Sequence, residues 1–401
     1  MRILKILTIL LLLLLPFGEM LRFSIGNNIY IKPLDVVACV LTFGLVLWLL
    51  YRDKIKTILQ LPLLLFPLVG LISLVINAYR LEPNEALASS LYLIRWVGFL
   101  GVFFVVVQFD AAFKKKLLSL MFYVGLAVVL AGFPQYFFYS DIRSLIYLGW
   151  DDHMHRLFST FLDPNFAGAF LVLYLLFVSG KLYQHIEERS KKWIILCSIV
   201  VILTFLAVLL TYSRSALLMM IISLGVFLIL LKQKKIIVGF VAVLVAYVII
   251  ISPSFYIENT NLFRVQSTFA RLETYQNAFT IYQDRPILGV GFNAYRYAQQ
   301  EYGFRSKNPK YPSNADSGVD NSFLFVLATT GIVGFAAYLF LWANLFREAI
   351  VRLRTKDNIL VIVFISSTAG LFINALFINS LFFPAIILWM WILYALMIRN
   401  K

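Results

Sequence analysis

The sequence predicts an all-α, polytopic membrane protein, on three observations. Of its 401 residues, 61% are hydrophobic and only 14% charged, against roughly a quarter charged in soluble domains. The apolar residues fall into twelve stretches, each near the roughly 20 residues a helix needs to cross a bilayer. The basic residues gather in every second connection between those stretches. Strands are excluded because an open sheet in lipid leaves its edge amides unpaired, whereas a helix satisfies its backbone internally.

In order, the stretches run 3–21, 34–51, 59–77, 88–109, 117–138, 165–180, 193–212, 214–231, 236–252, 321–346, 358–378 and 382–398. The first follows Arg2 and Lys5 and continues through Pro16-Phe17-Gly18-Glu19 without a small-x-small cleavage site. It therefore reads as a retained span and not as a removable signal. Cys39 and Cys197 both lie inside stretches, which argues against a disulfide framework. With no internal repeat or flexible linker, residues 1–401 read as one membrane domain.

Charge sets the expected orientation. Counted from a cytoplasmic start, the inside connections hold 21 of the 35 basic residues but only six of the 20 acidic ones. The whole formal charge of +15 thus falls on one side, the positive-inside pattern, with both termini cytoplasmic. Short basic loops beside spans orient them and meet anionic membrane lipid, so the basic balance does not call for nucleic acid. On the external side, connections 139–164 and 253–320 are long, and loops beyond about 15 residues are usually functional or disordered. The longer one is aromatic and periodic. Val265, Phe269, Leu272, Phe279 and Tyr282 mark one side of an amphipathic helix, while Arg264, Thr268, Arg271 and Tyr275 follow at spacings of 4, 3 and 4 on another. Such a helix lies on the membrane surface and presents cations to something above it.

Four clusters on that side carry candidate chemistry. Thr211-Tyr212-Ser213-Arg214-Ser215 separates two spans with almost no loop, and Arg214 near the bilayer boundary is costly unless it faces protein or water. Snorkelling is its plainer explanation. The second cluster is the surface helix with Arg264 and Arg271, running into Asp284-Arg285-Pro286-Ile287-Leu288-Gly289-Val290-Gly291. Its glycines lack the third member and βαβ setting of a dinucleotide fingerprint. In the third, Asp320-Asn321-Ser322, all three residues are good helix N-caps, so capping accounts for one of them without any function. The fourth runs from Trp150-Asp151-Asp152-His153-Met154-His155-Arg156 to Asp163-Pro164-Asn165. Its acids and histidines could ligate a cation, but the spacing matches no established site and a solvated polar loop is the simpler reading. Asp163-Pro164 fits an N-cap followed by proline at the first helical position. No P-loop, GxSxG elbow or HExxH helix is present, so ATP-driven transport, serine esterase and zinc protease chemistry lack motif support.

Taken together, Arg156 with Asp163-Pro164-Asn165, Ser213-Arg214-Ser215, Arg271 with Pro286-Ile287-Leu288-Gly289-Val290-Gly291, and Asp320-Asn321-Ser322 with Gly331-Ile332-Val333-Gly334 resemble the O-antigen ligase and polymerase superfamily. The resemblance covers about residues 156–334. It implies a C-type glycosyltransferase architecture in the bacterial cytoplasmic membrane, acting externally on glycans carried by undecaprenyl diphosphate, without metal or other cofactor. A flippase and a chain-length regulator are the protein partners it suggests. The family's two functional arginines carry over to Arg214 and Arg271. Arg156, Asn165, Ser213, Arg264, Tyr275 and Asn321 are the matching substrate-binding candidates. Where ligases hold a histidine, this chain has Asp320, which favours polymerisation of capsule, exopolysaccharide or O-antigen repeat units over ligase-type transfer to another acceptor. Asp320 is the nearest candidate base for the acceptor hydroxyl. A lipid-linked glycan transporter would explain the spans but not a large folded loop beside a basic pair.

Overall fold

The computed structural model describes residues 1–24, 26, 29–52, 61–233, 260–262, 266–306, 313–354 and 359–398, with isolated positions between 236 and 249. Thirteen α-helices fall within them: α1 (Arg2–Leu14), α2 (Pro33–Tyr51), α3 (Leu61–Asn77), α4 (Pro83–Val107), α5 (Ala111–Phe138), α6 (Pro164–Glu187), α7 (Lys191–Leu210), α8 (Arg214–Leu230), α9 (Gln266–Asp284), α10 (Tyr295–Glu301), α11 (Ser322–Leu353), α12 (Ile359–Asn374) and α13 (Pro384–Met397). Eleven of the twelve apolar stretches are helical. The remaining one, 236–252, lies outside the described residues apart from isolated positions. Among the described residues, strand pairing is limited to one short hairpin, β1 (Phe23–Ser24) with β2 (Tyr30–Ile31), and an isolated bridge between Asp141 and Met154.

Seven of the described helices, α2 to α7 and α11, are long and apolar enough to cross a membrane, while α8, α12 and α13 are apolar but shorter. The burial pattern says what surrounds them. In α2, Leu34, Ala38, Leu41, Leu45 and Leu49 are buried, whereas Val36, Val40, Phe43 and Leu47 recur at the complementary spacing and remain exposed. Water would penalise such an apolar outer stripe, and lipid does not. At the centre stand α13, buried from end to end, and α6, buried from Ala167 to Val178. Trp389 of α13 packs edge-on against Phe170, Tyr174 and Phe177 of α6.

Side-chain contacts give the two ends of the bundle different characters. Lys5 pairs with Asp110 just before α5, and Lys114 donates to the Ile398 carbonyl just after α13. Both ends of the described chain therefore gather at the start of α5. The 28 residues of α5 carry the backbone about 40 Å away, to Gln135, whose side chain donates to the Arg156 carbonyl. The candidate residues occupy that second end. The charge split expects the basic end to be cytoplasmic, so reporter fusions after residues 115 and 233 should read cytoplasmic and those after 150 and 300 external; one reversed site breaks the topology.

One junction builds the floor of that second end. The turn Pro286–Gly291 inserts into a break in α11, where Gly331 leaves the helix with φ +64°. Val290 and Gly291 donate their amides to the Ala328 and Thr329 carbonyls, and Ile332 and Val333 donate theirs to Pro286 and Ile287. Ser73 donates to the Leu288 carbonyl at 2.6 Å, and the Asn77 amide donates to Gly289. A Cβ on Gly331 would stand 2.3 Å from the Ile287 carbonyl, and one on Gly289 2.4 Å from Thr329. The two glycine motifs are thus two halves of one backbone lock. Gly331→Ala should cost at least ~1–2 kcal/mol from the positive φ alone and more from the clash. A lowered midpoint for thermal unfolding in detergent is the measurement.

Candidate active site

Three helices begin at the same end with side-chain caps. Asp163 caps α6 by accepting from the Asn165 and Phe166 amides, with Pro164 at the first helical position. Ser213 caps α8 by accepting from the Ala216 amide. Asn321 caps α11 by accepting from Phe323 and Leu324 at 2.9 and 3.0 Å. Of the three equivalent cap candidates at 320–322, Asn321 does the capping, and Asp320 is left for other work. Helix N-termini carry partial positive charge and suit anions.

The first two caps are joined through Asn165. Its Oδ1 accepts from the Ser213 hydroxyl at 2.9 Å and from the Arg156 guanidinium at 3.3 Å. Arg156 is only 3% exposed, and its Nε donates to the Thr211 carbonyl at 2.8 Å. It therefore braces the start of α6 against the α7–α8 turn. The turn is tight, with Tyr212 at φ +48°, and it delivers Arg214 as the first residue of α8.

The third component is α9. Thr268 accepts from the Arg214 guanidinium at 3.2 Å. One turn later Arg271 Nε stands 3.9 Å from Asp320 Oδ2, and a turn beyond that the Tyr275 hydroxyl donates to the Asp320 and Leu376 carbonyls. The polar stripe expected from the spacing is thus turned toward the site at Thr268, Arg271 and Tyr275. Phe269, Leu272 and Phe279 stay exposed on the other side. Arg264 and Val265 lie outside the described residues.

The fourth cluster is in part the solvated loop expected and in part packed against the bundle. His153 and Arg156 are buried, while Asp151, Asp152 and His155 face solvent. One ligand atom each from Asp151, His153 and Asp163 lies within 4.8 Å of the others, a set able to hold a divalent cation. Protein crowds Asp151 although water reaches it. Burial pushes its carboxyl up to about 7, with Asp163, Asp320, Asp152 and Asp316 adding like-charge repulsion. Asp163 is raised by burial too, opposed by the Asn165 amide and by Arg156.

Asp320 occupies the centre. Its side chain is 45% exposed, yet the surrounding protein raises its carboxyl above the ordinary range; Arg271 pulls against that rise and Asp163 adds to it. Burial likewise raises the Tyr275 phenol. The site therefore combines Arg214, bonded to Thr268 of α9, with Arg271 one turn on, an aspartate whose carboxyl burial raises and Arg271 lowers, and the capped N-termini of α6, α8 and α11 at the same end of the bundle. Such a site can hold a doubly charged anion and accept a proton beside it.

Sequence reasoning overlooked the buried ion pairs outside this site, of which one joins two spans. Asp35 of α2 and Arg95 of α4 meet at 2.5 Å. The signal was available, since a charged residue inside an apolar span is rarely structural filler.

Residues 199–339 match the O-antigen ligase family. The match contains Ser213, Arg214, Arg271, Tyr275, Asp320 and Asn321, together with both halves of the Pro286–Gly291 and Gly331 junction. Arg156 and Asn165 precede it. No curated protein matches the chain.

Proposed function

We propose, from the match of residues 199–339 to the O-antigen ligase family, that the chain polymerises oligosaccharide repeat units carried on a polyprenyl diphosphate, on the external face of the cytoplasmic membrane. The observation that supports it most is the placement of Arg271 beside Asp320 and one turn from the Thr268 that holds Arg214. Glycan transfer from a diphosphate needs two things in one place, stabilisation of the leaving charge and removal of the acceptor proton. Asp320 in the position where ligases hold histidine favours polymerisation over ligation.

The reaction balances on these residues. An acceptor hydroxyl oxygen bonds to the donor sugar's C1, and its proton passes to the Asp320 carboxylate. The bond from C1 to the diphosphate oxygen breaks, and the electron pair leaves with the diphosphate. Arg214 and Arg271 meet the developing charge with planar, permanently charged forks, in a site where protein replaces much of the water. The N-termini of α6 and α8, joined through Asn165 and Ser213, add fixed dipoles. Tyr275 and Asn321 hold the Asp320 backbone and the start of α11 in register with α9.

Incubating the purified chain with lipid-linked repeat units is the test. A ladder of longer lipid-linked chains supports polymerisation. A single transfer onto a different lipid or protein supports ligation, and movement across vesicles without new glycosidic bonds supports a transporter.

A further inference from the structure

A cavity of about 250 Å³ lies between α2 and α4, below α10 and the β1–β2 hairpin. Its two sides differ. Val36, Val40 and Ile94 line it and are 46%, 49% and 52% exposed. Apolar side chains that open on the flank of a span face lipid, so the cavity has a lateral mouth into the bilayer. From α2 that mouth is lined within the first two turns, about 10 Å from the helix start. The opposite side is polar and comes from outside the spans, with Asn293, Arg296 and Tyr297 at and beside the start of α10.

The charges on the wall do not cancel. Asp35 and Arg95 pair at 2.5 Å, and the Asp35 oxygens are sealed from the surface, so this pair is complete without a ligand. Arg296 is the third charge. It donates to the Ser313 carbonyl at 3.0 Å and meets no carboxylate at ion-pair distance among the described residues. Behind the wall, Arg22 lies 4.3 Å above the Tyr30 ring and donates to the Leu148 carbonyl, which adds a second cation. Glu85 of α4 turns its carboxylate back to the Glu82 amide and is not part of the wall. A permanent positive charge beside an apolar mouth is costly until an anion meets it.

A sugar or an uncharged lipid leaves that charge unmet, and a soluble anion makes no use of the mouth. An anionic phospholipid meets both demands. Its phosphate matches the guanidinium fork, and its acyl chains continue past Val40 and Ile94 into the bilayer, as basic pockets between spans allow. We propose that this cavity seats the head group of an anionic phospholipid of the surrounding membrane, with the phosphate on Arg296. The seat stands apart from the glycan-transfer reading but adjoins its site: α10 also holds the segment before Asp320, through Arg296 on Ser313 and through Gln299, which donates to the Asp316 carbonyl at 2.9 Å.

Cys39 lines the cavity, and the second cysteine, Cys197, lies in α7. In a Cys197→Ser chain delipidated in an uncharged detergent, the rate of Cys39 modification by an uncharged methanethiosulfonate reagent therefore reports occupancy. Added phosphatidylglycerol should slow labelling about tenfold at ~90% occupancy, and phosphatidylcholine at the same mole fraction should not. Arg296→Gln should label at the parent rate without lipid and need about tenfold more phosphatidylglycerol for equal protection, the loss of one charge-assisted contact. Arg296→Lys, which keeps the charge, should retain most of the protection. Native mass spectrometry should find phosphatidylglycerol retained on the parent chain and lost from Arg296→Gln. Equal protection by the two lipids, protection by inorganic phosphate alone, or an unchanged lipid dependence in Arg296→Gln each overturns the proposal. If Arg296→Gln alters labelling without lipid, Arg296→Lys decides: retained protection supports the seat, and lost protection overturns it.

Discussion

Replacing Arg214 or Arg271 with lysine should lower glycan transfer by ~10²–10³-fold, the usual consequence of removing one preorganised donor from a developing oxyanion. Membrane insertion should be unaffected, since neither arginine supports the core. Lysine keeps the charge, so the loss comes from geometry: a single ammonium cannot match two diphosphate oxygens as the planar fork does. Alanine at either position should be at least as damaging. The two sites are expected to differ in pH dependence. Arg271 faces Asp320 and pulls its carboxyl down against burial, so Arg271→Ala should move the acidic limb of the rate profile to higher pH. Arg214 contacts Thr268, and its loss should lower the rate with that limb in place. Near wild-type polymerisation by both lysine variants at matched protein levels would exclude bidentate diphosphate binding.

How much of this was legible in the sequence depends on the range over which each feature is decided. The spans were legible because lipid exposure is a composition rule, and α2 and α13 show its two forms, one apolar toward lipid and one apolar all round. The Asp163-Pro164 cap was legible because capping is decided within four residues. Periodicity also picked out the face of α9 that carries Thr268, Arg271 and Tyr275. Other features are fixed by contacts between distant segments. Asn165 meets Ser213 across 48 positions, and nothing local in either segment announces the other. The break in α11 at Gly331 sits inside an unbroken apolar run, so hydropathy reads straight through it. It exists because the Pro286–Gly291 turn supplies the hydrogen bonds the helix gives up. Asp35 and Arg95 each stand alone in a span by sequence, and only the packing of α2 on α4 makes them a pair.

Asp320→Asn should cost ~10²–10⁴-fold in transfer, the typical contribution of a positioned general base. By sequence alone the same residue serves equally well as a helix cap, and asparagine, an equally good cap, is harmless in that role. Asn321 already accepts the Phe323 and Leu324 amides, so the cap of α11 survives the substitution unchanged. Any loss in Asp320→Asn then reports ionisation, because the amide keeps nearly the same shape in a pocket that contacts Asp320 through its backbone carbonyl at Tyr275. The pH profile separates the roles further. A base must be ionised, and the raised carboxyl of Asp320 places the wild-type acidic limb above the ordinary aspartate range, with activity rising as pH increases through it. That limb should vanish in Asp320→Asn, leaving a low residual rate with no acidic limb from this group. Full activity in Asp320→Asn would remove Asp320 from the mechanism. Asp320→His is the companion measurement, since it installs the residue ligases carry. The imidazole is bulkier, and its Nε2 reaches farther from the backbone than the carboxylate oxygen that now faces Arg271 at 3.9 Å. It also replaces an anion beside Arg271 with a neutral or cationic ring, so the arginine loses the carboxylate it faces at 3.9 Å. Polymerisation should therefore fall, and normal chain growth in Asp320→His would show that the position accepts either base and carries no information about polymerase against ligase.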